Sequence, residues 1–444
     1  MESNRIFLEY SPRKLFFAAA VPGMISMFAA SLYMIVEGMF IGRFLGSTAF
    51  AAVNLAMPLM LLTFSLADMI GVGSSIPISI ALGRGDEAQA NRLFSGALLL
   101  IVAAAASVGV VMAVCAPYIF RAMGAEGEVA RLATLYIRIY ALCGPLCSLV
   151  FAMDNFLRIC SFIRGSMYLN IFMSLLTVVL LWVFLVVLEM GVAGAALASC
   201  VSMSLCALLA LIPFLRRKTV LKLSRPQISL AMLRQIVACG SPAFLNNIAE
   251  RLTGVVMNVA LLRLGGEDAV AVYGVLLYAG SMVFPFLYGM NDSLQPAMGY
   301  NWGAEAYGRV RALRRWIFGG SAAVSGVAVA AMLLIPAPIA SLFVEKGDPA
   351  LLQMAAVALQ LFSLSYVLRW FSLSSQSFFS AIGKPAPAAL LSISSTLIFP
   401  LLVMLLLWPL GLNGLWLNLA GTALLAAVLA AALLLREEQN IPKA

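Results

Sequence analysis

The chain has 444 residues, of which 63% are hydrophobic and 11% charged, and its formal net charge is +9. A soluble domain has about a quarter of its residues charged, so this composition excludes an ordinary soluble core and makes lipid the solvent for much of the surface. Histidine is absent, which removes the usual proton carrier near neutral pH and leaves any proton handling to carboxylates.

A membrane-spanning helix needs about 20 mostly apolar residues, and such runs follow one another along the chain. They lie at 15–42, 51–80, 93–116, 137–157, 167–188, 192–215, 236–262, 270–297, 313–337, 356–381, 387–408 and 413–435. The stretch before the first run lacks the short apolar core and cleavage site of a removable signal peptide, and none is expected. Segments 118–135 and 342–355 are expected to form short amphipathic helices capping the outer face. The basic stretch RRKTVLKLSRPQISLAMLRQ at 216–235 is expected to be a cytoplasmic linker resting on anionic lipid headgroups. It separates a lobe at 1–215 from one at 236–444.

A net positive charge can mark a nucleic-acid partner, but the positions of the charges argue for a membrane instead. With the N-terminus inside, outer segments hold Arg43, Arg121, Arg131, Arg138, Arg263 and Lys346, and Arg251 and Arg369 fall within helices. The rest of the 28 Lys and Arg, from Arg5 to Lys443, lie inside. The positive-inside rule then predicts both termini in the cytoplasm and an even number of spans. No nucleic-acid partner is expected.

The chain repeats itself. A shift of 220 brings Pro22 onto Pro242, Gly46 onto Gly266, Arg164 onto Lys384, Gly191 onto Gly411 and Gly194 onto Gly414. A shift of 218 pairs ALGRGDEA at 81–88 with YNWGAEA at 300–306, with Gly85 on Gly303. Two six-helix halves that enter from the same side form a parallel repeat. The predicted fold is an all-α polytopic membrane protein: twelve transmembrane helices in two six-helix bundles related by a parallel pseudo-twofold. Transporters of this kind hold substrate near mid-membrane.

QPAMGYNWGAEAYGRVR at 295–311 resembles a signature of the bacterial branch of the multidrug and toxic compound extrusion (MATE) family. There a Gln-Pro-x-x-Gly-Tyr-Asn-x-Gly-Ala stretch follows the eighth helix. IVEGMFIGRFLG at 35–46, IALGRGDEA at 80–88, DNFLR at 154–158 and MGVAGAALAS at 190–199 are similar to other segments of that family. The resemblance implies an antiporter in the bacterial inner membrane, working as a monomer without a cofactor. It would expel organic cations or other amphipathic compounds in exchange for sodium or protons.

Ionisable groups at membrane depth are costly and are functional candidates. Glu37 stands in the outer part of the first helix, where the resemblance implies an acid that takes part in cation coupling; the alternative is a Glu paired with Arg43. In the fifth helix the family often has Asn, three residues, then Asp. Counted back from Gly191, those places hold Thr177 and Leu181, so the second acid is missing. Sodium wants about six oxygen ligands by analogy with other hard cations, which tilts the reading toward protons. Asp68, in the second helix, is a further ion-coupling candidate, or a partner of Arg251 or Arg369.

Glu250, eight residues after Pro242, matches the spacing of an acid in a related branch of the family, which implies that it faces the central cavity and attracts a cationic substrate or binds the coupling ion. Arg251 beside it departs from the family and is expected to neutralise a carboxylate on another helix, such as Glu37 or Asp68, because neighbours on a helix point about 100° apart. Asp154 precedes Arg158 by one turn, an ion-pair spacing that favours a structural role. Asp292 lies one turn before Gln295, near the inner end of the eighth helix, and is expected either to serve the gate or only to touch cytoplasmic water. Tyr33, Met34, Phe64, Tyr278 and Tyr288 are candidates for an adaptable, cation-stacking surface. Pro22 and Pro242 are candidate hinges. The seven cysteines lie in or beside apolar runs, and without histidine a zinc site is not expected.

Two other functions are open at this point. A lipid-linked saccharide flippase of the same wider superfamily would favour a cationic cavity, whereas the helical acids here outnumber the helical arginines. A membrane enzyme would need a nucleophile cluster, a His-Glu-x-x-His or a nucleotide-binding loop, none of which the sequence contains.

Overall fold

The structure is a computed structural model that describes residues 6–342 and 349–439. Arg5, Lys346, Lys443 and part of the expected cap at 342–355 lie outside the described residues. Among the described residues there is no strand, and nine continuous helices are long and apolar enough to cross a membrane.

Three of these nine are double. Pro12–Gly83 has 72 residues, and a straight helix of that length would run about 108 Å, over three times the ~30 Å of bilayer hydrocarbon. It breaks at Gly46, where φ is 79° and ψ is 178°. Leu230–Gly303 breaks in the same way at Gly266, where φ is 66° and ψ is −158°. Pro385–Glu438 is broken by a 3₁₀ turn, Trp408–Leu410, and by Gly411 at φ 60°.

The described residues therefore form twelve helices of spanning length. The first six are α1 (12–45), α2 (47–83), α3 (Glu87–Ala122), α4 (Gly127–Ile159), α5 (Ile163–Trp182) and α6 (Gly191–Leu215). The second six are α7 (230–265), α8 (267–303), α9 (Tyr307–Leu334), α10 (Pro349–Ala381), α11 (385–407) and α12 (Gly411–Glu438). Segment 118–135 is no separate cap: it is the end of α3, a short turn and the start of α4.

The repeat is visible in the packing and in the backbone. In the first half α3 packs on α4, α4 on α6 and α5 on α6; in the second, α9 packs on α10, α10 on α12 and α11 on α12. Gly46 and Gly266, and Gly191 and Gly411, share positive φ. At the α2–α3 turn Asp86 N donates to Ala81 O, and at the α8–α9 turn Ala306 N donates to Asn301 O. The true counterpart of Gly85 (φ 79°) is therefore Glu305 (φ 58°), not Gly303, and the shift of 218 is corrected to 220. Later the shift grows to 222: Phe162 N donates to Leu157 O, and Lys384 N to Phe379 O. Lys384 thus occupies the place of Phe162 rather than Arg164.

The chain forms two compact units whose boundaries differ from the expected ones. The first contains 6–9 and Ile25–Gly240, around a core that includes Phe120, Tyr136 and Leu181. The second contains Tyr10–Met24, 241–342 and 349–439, around Leu359, Tyr366 and Trp416. The opening turns of α1 thus group with the second half and those of α7 with the first. Both changes fall beside a proline, Pro22 and Pro242. The segment 216–235 also packs into the first unit, because Lys222 N donates to Asn91 Oδ1 (2.7 Å), Ser224 N donates to Ser95 Oγ (2.8 Å) and Leu221 is fully buried.

The break at Gly46 lies in backbone space that only glycine enters without strain. Gly46→Ala is expected to cost about 1–3 kcal/mol of stability. Gly38→Ala, within regular α1 and with open space at its Cβ, is expected to gain roughly 0.5–1 kcal/mol. Thermal unfolding of the two variants in detergent checks the contrast.

Candidate functional site

The first unit gathers four helices around one carboxylate. Glu37 is half-buried on α1, and the buried Ser199 of α6 donates its hydroxyl to Glu37 Oε1 at 2.9 Å. Three residues on, Ser202 donates to the Ser199 carbonyl (2.9 Å), and its Oγ lies 2.6 Å from Thr177 Oγ1 on α5. Thr177 also donates to Met173 O at 2.8 Å. Thr177 is thus joined to Glu37 through two serines of α6. Tyr33 on α1 and Tyr136 and Tyr140 on α4 are close enough to interact electrostatically with the Glu37 carboxylate. Leu181, one turn beyond Thr177, is fully buried and apolar. Among the described residues Glu37 makes no ion pair with Arg43.

The other first-unit candidates make no hydrogen bond to this network among the described residues. Asp68 is half-buried on α2, with no hydrogen bond or ion pair among the described residues. Met34 is exposed. Phe64 belongs to the core, its ring 5.9 Å from that of Tyr140 and 5.8 Å from that of Phe151, so its surface is taken up by packing. Asp154 forms an ion pair with the buried Arg158 and accepts hydrogen bonds from Ser166 Oγ and, at 2.7 Å, from Asn170 Nδ2. Arg158 Nε in turn donates to Ser166 Oγ at 3.2 Å. This network ties the end of α4 to α5.

In the second unit Glu250 and Arg251 do not pair, as adjacent positions about 100° apart on a helix lead one to expect. Both are exposed, and neither makes a hydrogen bond or an ion pair among the described residues. Glu250 and Arg369 instead share the same aromatic neighbours. Each is close enough to interact electrostatically with Tyr273 and Tyr288. The Arg369 guanidinium sits 4.4 Å over the Phe284 ring and has no carboxylate partner among the described residues. Phe284 packs on Tyr366 (5.8 Å) and Tyr288 (6.2 Å). Tyr278 is exposed.

Asp292 accepts a hydrogen bond from Gln295 Nε2 (3.1 Å), which also donates to Ser377 Oγ (3.0 Å). Asn291 beside it donates to Ser321 Oγ (3.2 Å), and Ser374 reaches the same oxygen (2.9 Å). Within the 295–311 motif, one residue fastens the chain. Arg309 reaches back from α9 to Asn301 Oδ1 (2.9 Å) and to the Tyr10 carbonyl, fixing the α8–α9 turn and the start of α1. Pro22 and Pro242 are both buried, and Ser392 Oγ donates to the Pro242 carbonyl at 2.7 Å.

Sequence reasoning missed Ser199, Ser202, Ser166 and Asn170. Serine and asparagine inside an apolar helix carry no charge and leave hydropathy nearly unchanged. Their spacing was the available sign: Ser199 and Ser202, and Ser166 and Asn170, stand three and four apart and share a helix face. The cysteines are free, and Cys147 Sγ rests 3.6 Å from the Cys200 carbonyl, in keeping with packing. No cluster able to hold a metal occurs among the described residues.

With these positions in view, one comparison is decisive: the MatE family model matches residues 22–183 and again 242–405. The chain belongs to the MatE family. It is a membrane transporter rather than an enzyme, and the two matches fall on the two copies of the repeat. The multidrug export protein MepA of Staphylococcus aureus (strain NCTC 8325 / PS 47) is 27% identical over 388 residues, covering 86% of this chain and 85% of its own length. MepA of Staphylococcus saprophyticus is 25% identical over 434 residues, covering 96% and 94%. The fold matches that of an outward-facing multidrug resistance MATE family transporter of the MOP superfamily, with a TM-score of 0.93, 23% identity and 99% of each chain covered. It also matches a MOP superfamily transporter from Pyrococcus furiosus Vc1 (DSM3638), with a TM-score of 0.92, 23% identity, and 100% and 99% covered.

Proposed function

We propose that the protein is a secondary multidrug antiporter of the bacterial inner membrane, both termini cytoplasmic, that expels amphipathic and cationic compounds in exchange for protons. The observation that carries this is the Glu37 site. One carboxylate is met by a neutral hydroxyl, Ser199, and the place where a second acid would complete a sodium site is filled by the buried Leu181. A hydroxyl suits a carboxylate that gains and loses a proton. Ser199 donates to the ionised form, and it can turn to accept from the protonated form.

Glu37, with Thr177 behind it, is the coupling site in this reading, and the half-buried Asp68 is a second carboxylate available to the same cycle. Glu250, Tyr273 and Tyr288 provide a negative, aromatic surface for an organic cation. Arg369 adds the opposite charge beside it, which extends the substrate range to zwitterions. The prolines at the unit boundaries serve as hinges, and the names of the MepA relatives support export of drugs.

Purified protein in sealed vesicles, loaded with a fluorescent organic cation or a fluorescent zwitterion, tests the reading. Both are expected to move when a proton gradient is imposed, and neither with a sodium gradient alone. Movement under sodium alone would replace the coupling ion, and no movement under either gradient would remove the antiport reading.

A further inference from the structure

Far along α4 from the Asp154–Arg158 network, a groove of about 740 Å³ runs between α3 and α4. Its lining includes Arg121, Arg131, Arg138, Glu126, Pro117 and Leu135. The outer placement of this groove rests on the orientation proposed above: with both termini inside, few basic residues lie outside the membrane, yet three of those gather here.

Their charges are unevenly answered. Arg131 is paired with Glu128, Nε to Oε2 at 2.8 Å and a second nitrogen to Oε1 at 2.6 Å. Arg121 and Arg138 have no carboxylate partner among the described residues; Arg138 Nε gives one hydrogen bond, to Ala113 O at 3.3 Å. Glu126 is the one acid lining the groove. Two guanidinium groups therefore face one carboxylate.

The depth of the groove follows from helix geometry. α4 ends one residue after Arg158, and Arg138 is a rise of about 30 Å away along the helix, close to the thickness of bilayer hydrocarbon. Arg138 thus marks the opposite hydrocarbon boundary. By the same rise Pro117 and Leu135 fall near the level of the lipid phosphates, with Arg121 and Arg131 each about one turn, ~6 Å, farther out.

We infer that this groove binds the phosphodiester of an anionic phospholipid of the outer leaflet, with the phosphate on Arg138 and the headgroup reaching toward Arg121. Guanidinium is the preferred side chain for phosphate because its fork of donors matches the oxygens, and unpaired basic groups near the surface favour anionic lipid.

Native mass spectrometry of the whole purified chain with phosphatidylglycerol and phosphatidylcholine in equal amounts tests the inference. Phosphatidylglycerol is expected to be retained preferentially. Retention should fall by roughly fivefold for each guanidinium removed in Arg121→Gln and Arg138→Gln. Arg131→Gln, whose charge Glu128 already answers, should change it little. Equal retention of the two lipids, or full retention in the Arg121→Gln/Arg138→Gln double variant, would overturn the inference. So would displacement of the lipid by millimolar inorganic phosphate, which would make this a free-anion site. If the double variant does not fold, thermal stabilisation of the unaltered protein decides: a rise with phosphatidylglycerol alone supports the site, and equal rises with both lipids refute it.

Discussion

Glu37→Gln is expected to abolish proton-driven efflux while leaving the fold intact. The amide is nearly the same size as the carboxylate, and its oxygen can still accept the Ser199 hydroxyl that now reaches Oε1 at 2.9 Å. Core volume and the α1–α6 contact are therefore preserved, and unfolding in detergent should be almost unchanged. The lost property is the ability to exchange a proton. Coupled transport has no slower version of that step, so efflux should drop to the level of empty vesicles, while equilibrium binding of the substrate persists. Ser199→Ala makes the complementary point. It leaves the carboxylate without its donor at a net cost of about 1–3 kcal/mol, and should shift the pH dependence of efflux without erasing it. Full efflux by Glu37→Gln would take this residue out of the mechanism and move the search to Asp68.

How far the sequence led can be judged at single residues. The spans were legible because apolar runs of membrane length have few other interpretations, and Gly46 and Gly266 marked their breaks because only glycine enters that backbone region easily. The pairing of Gly85 with Gly303 failed for a related reason. Residue type suggested the match, but the left-handed position at the second turn is held by Glu305, a cost that the turn's hydrogen bonds offset. The grouping of Tyr10–Met24 with the second unit was hidden because the apolar run continues without a change in composition; Pro22 alone hints at it. Glu37 was visible as a charge where charges are expensive. Ser199 and Ser202 were not, since a hydroxyl in a helix can bond to its own backbone and so needs no partner that patterning would reveal. Adjacency rightly gave no Glu250–Arg251 pair, but it could not name the arginine that shares the neighbours of Glu250. Neighbours on a helix point about 100° apart, and the arginine that shares the Tyr273–Tyr288 surface with Glu250 is Arg369, on another helix.

Asp154→Ala is expected to be the most destabilising single change in the first unit. Arg158 is 4% exposed at its side chain and has this one carboxylate partner among the described residues. Removing the acid leaves a buried guanidinium uncompensated, which costs about 3–5 kcal/mol in comparable sites, and it strips Ser166 and Asn170 of their shared acceptor. The ion pair itself need not be a net source of stability, because desolvating two charges offsets much of their attraction. The double variant Asp154→Ala/Arg158→Met separates these effects. It deletes both charges and restores an apolar side chain of similar length, so most of the lost stability should return in chemical unfolding of the detergent-solubilised protein. Efflux then discriminates between a structural and a gating role. If the network only fastens α4 to α5, transport should recover along with stability. A double variant that is as stable as the parent but inactive in vesicles would instead show that the Asp154–Arg158 pair must change during the transport cycle.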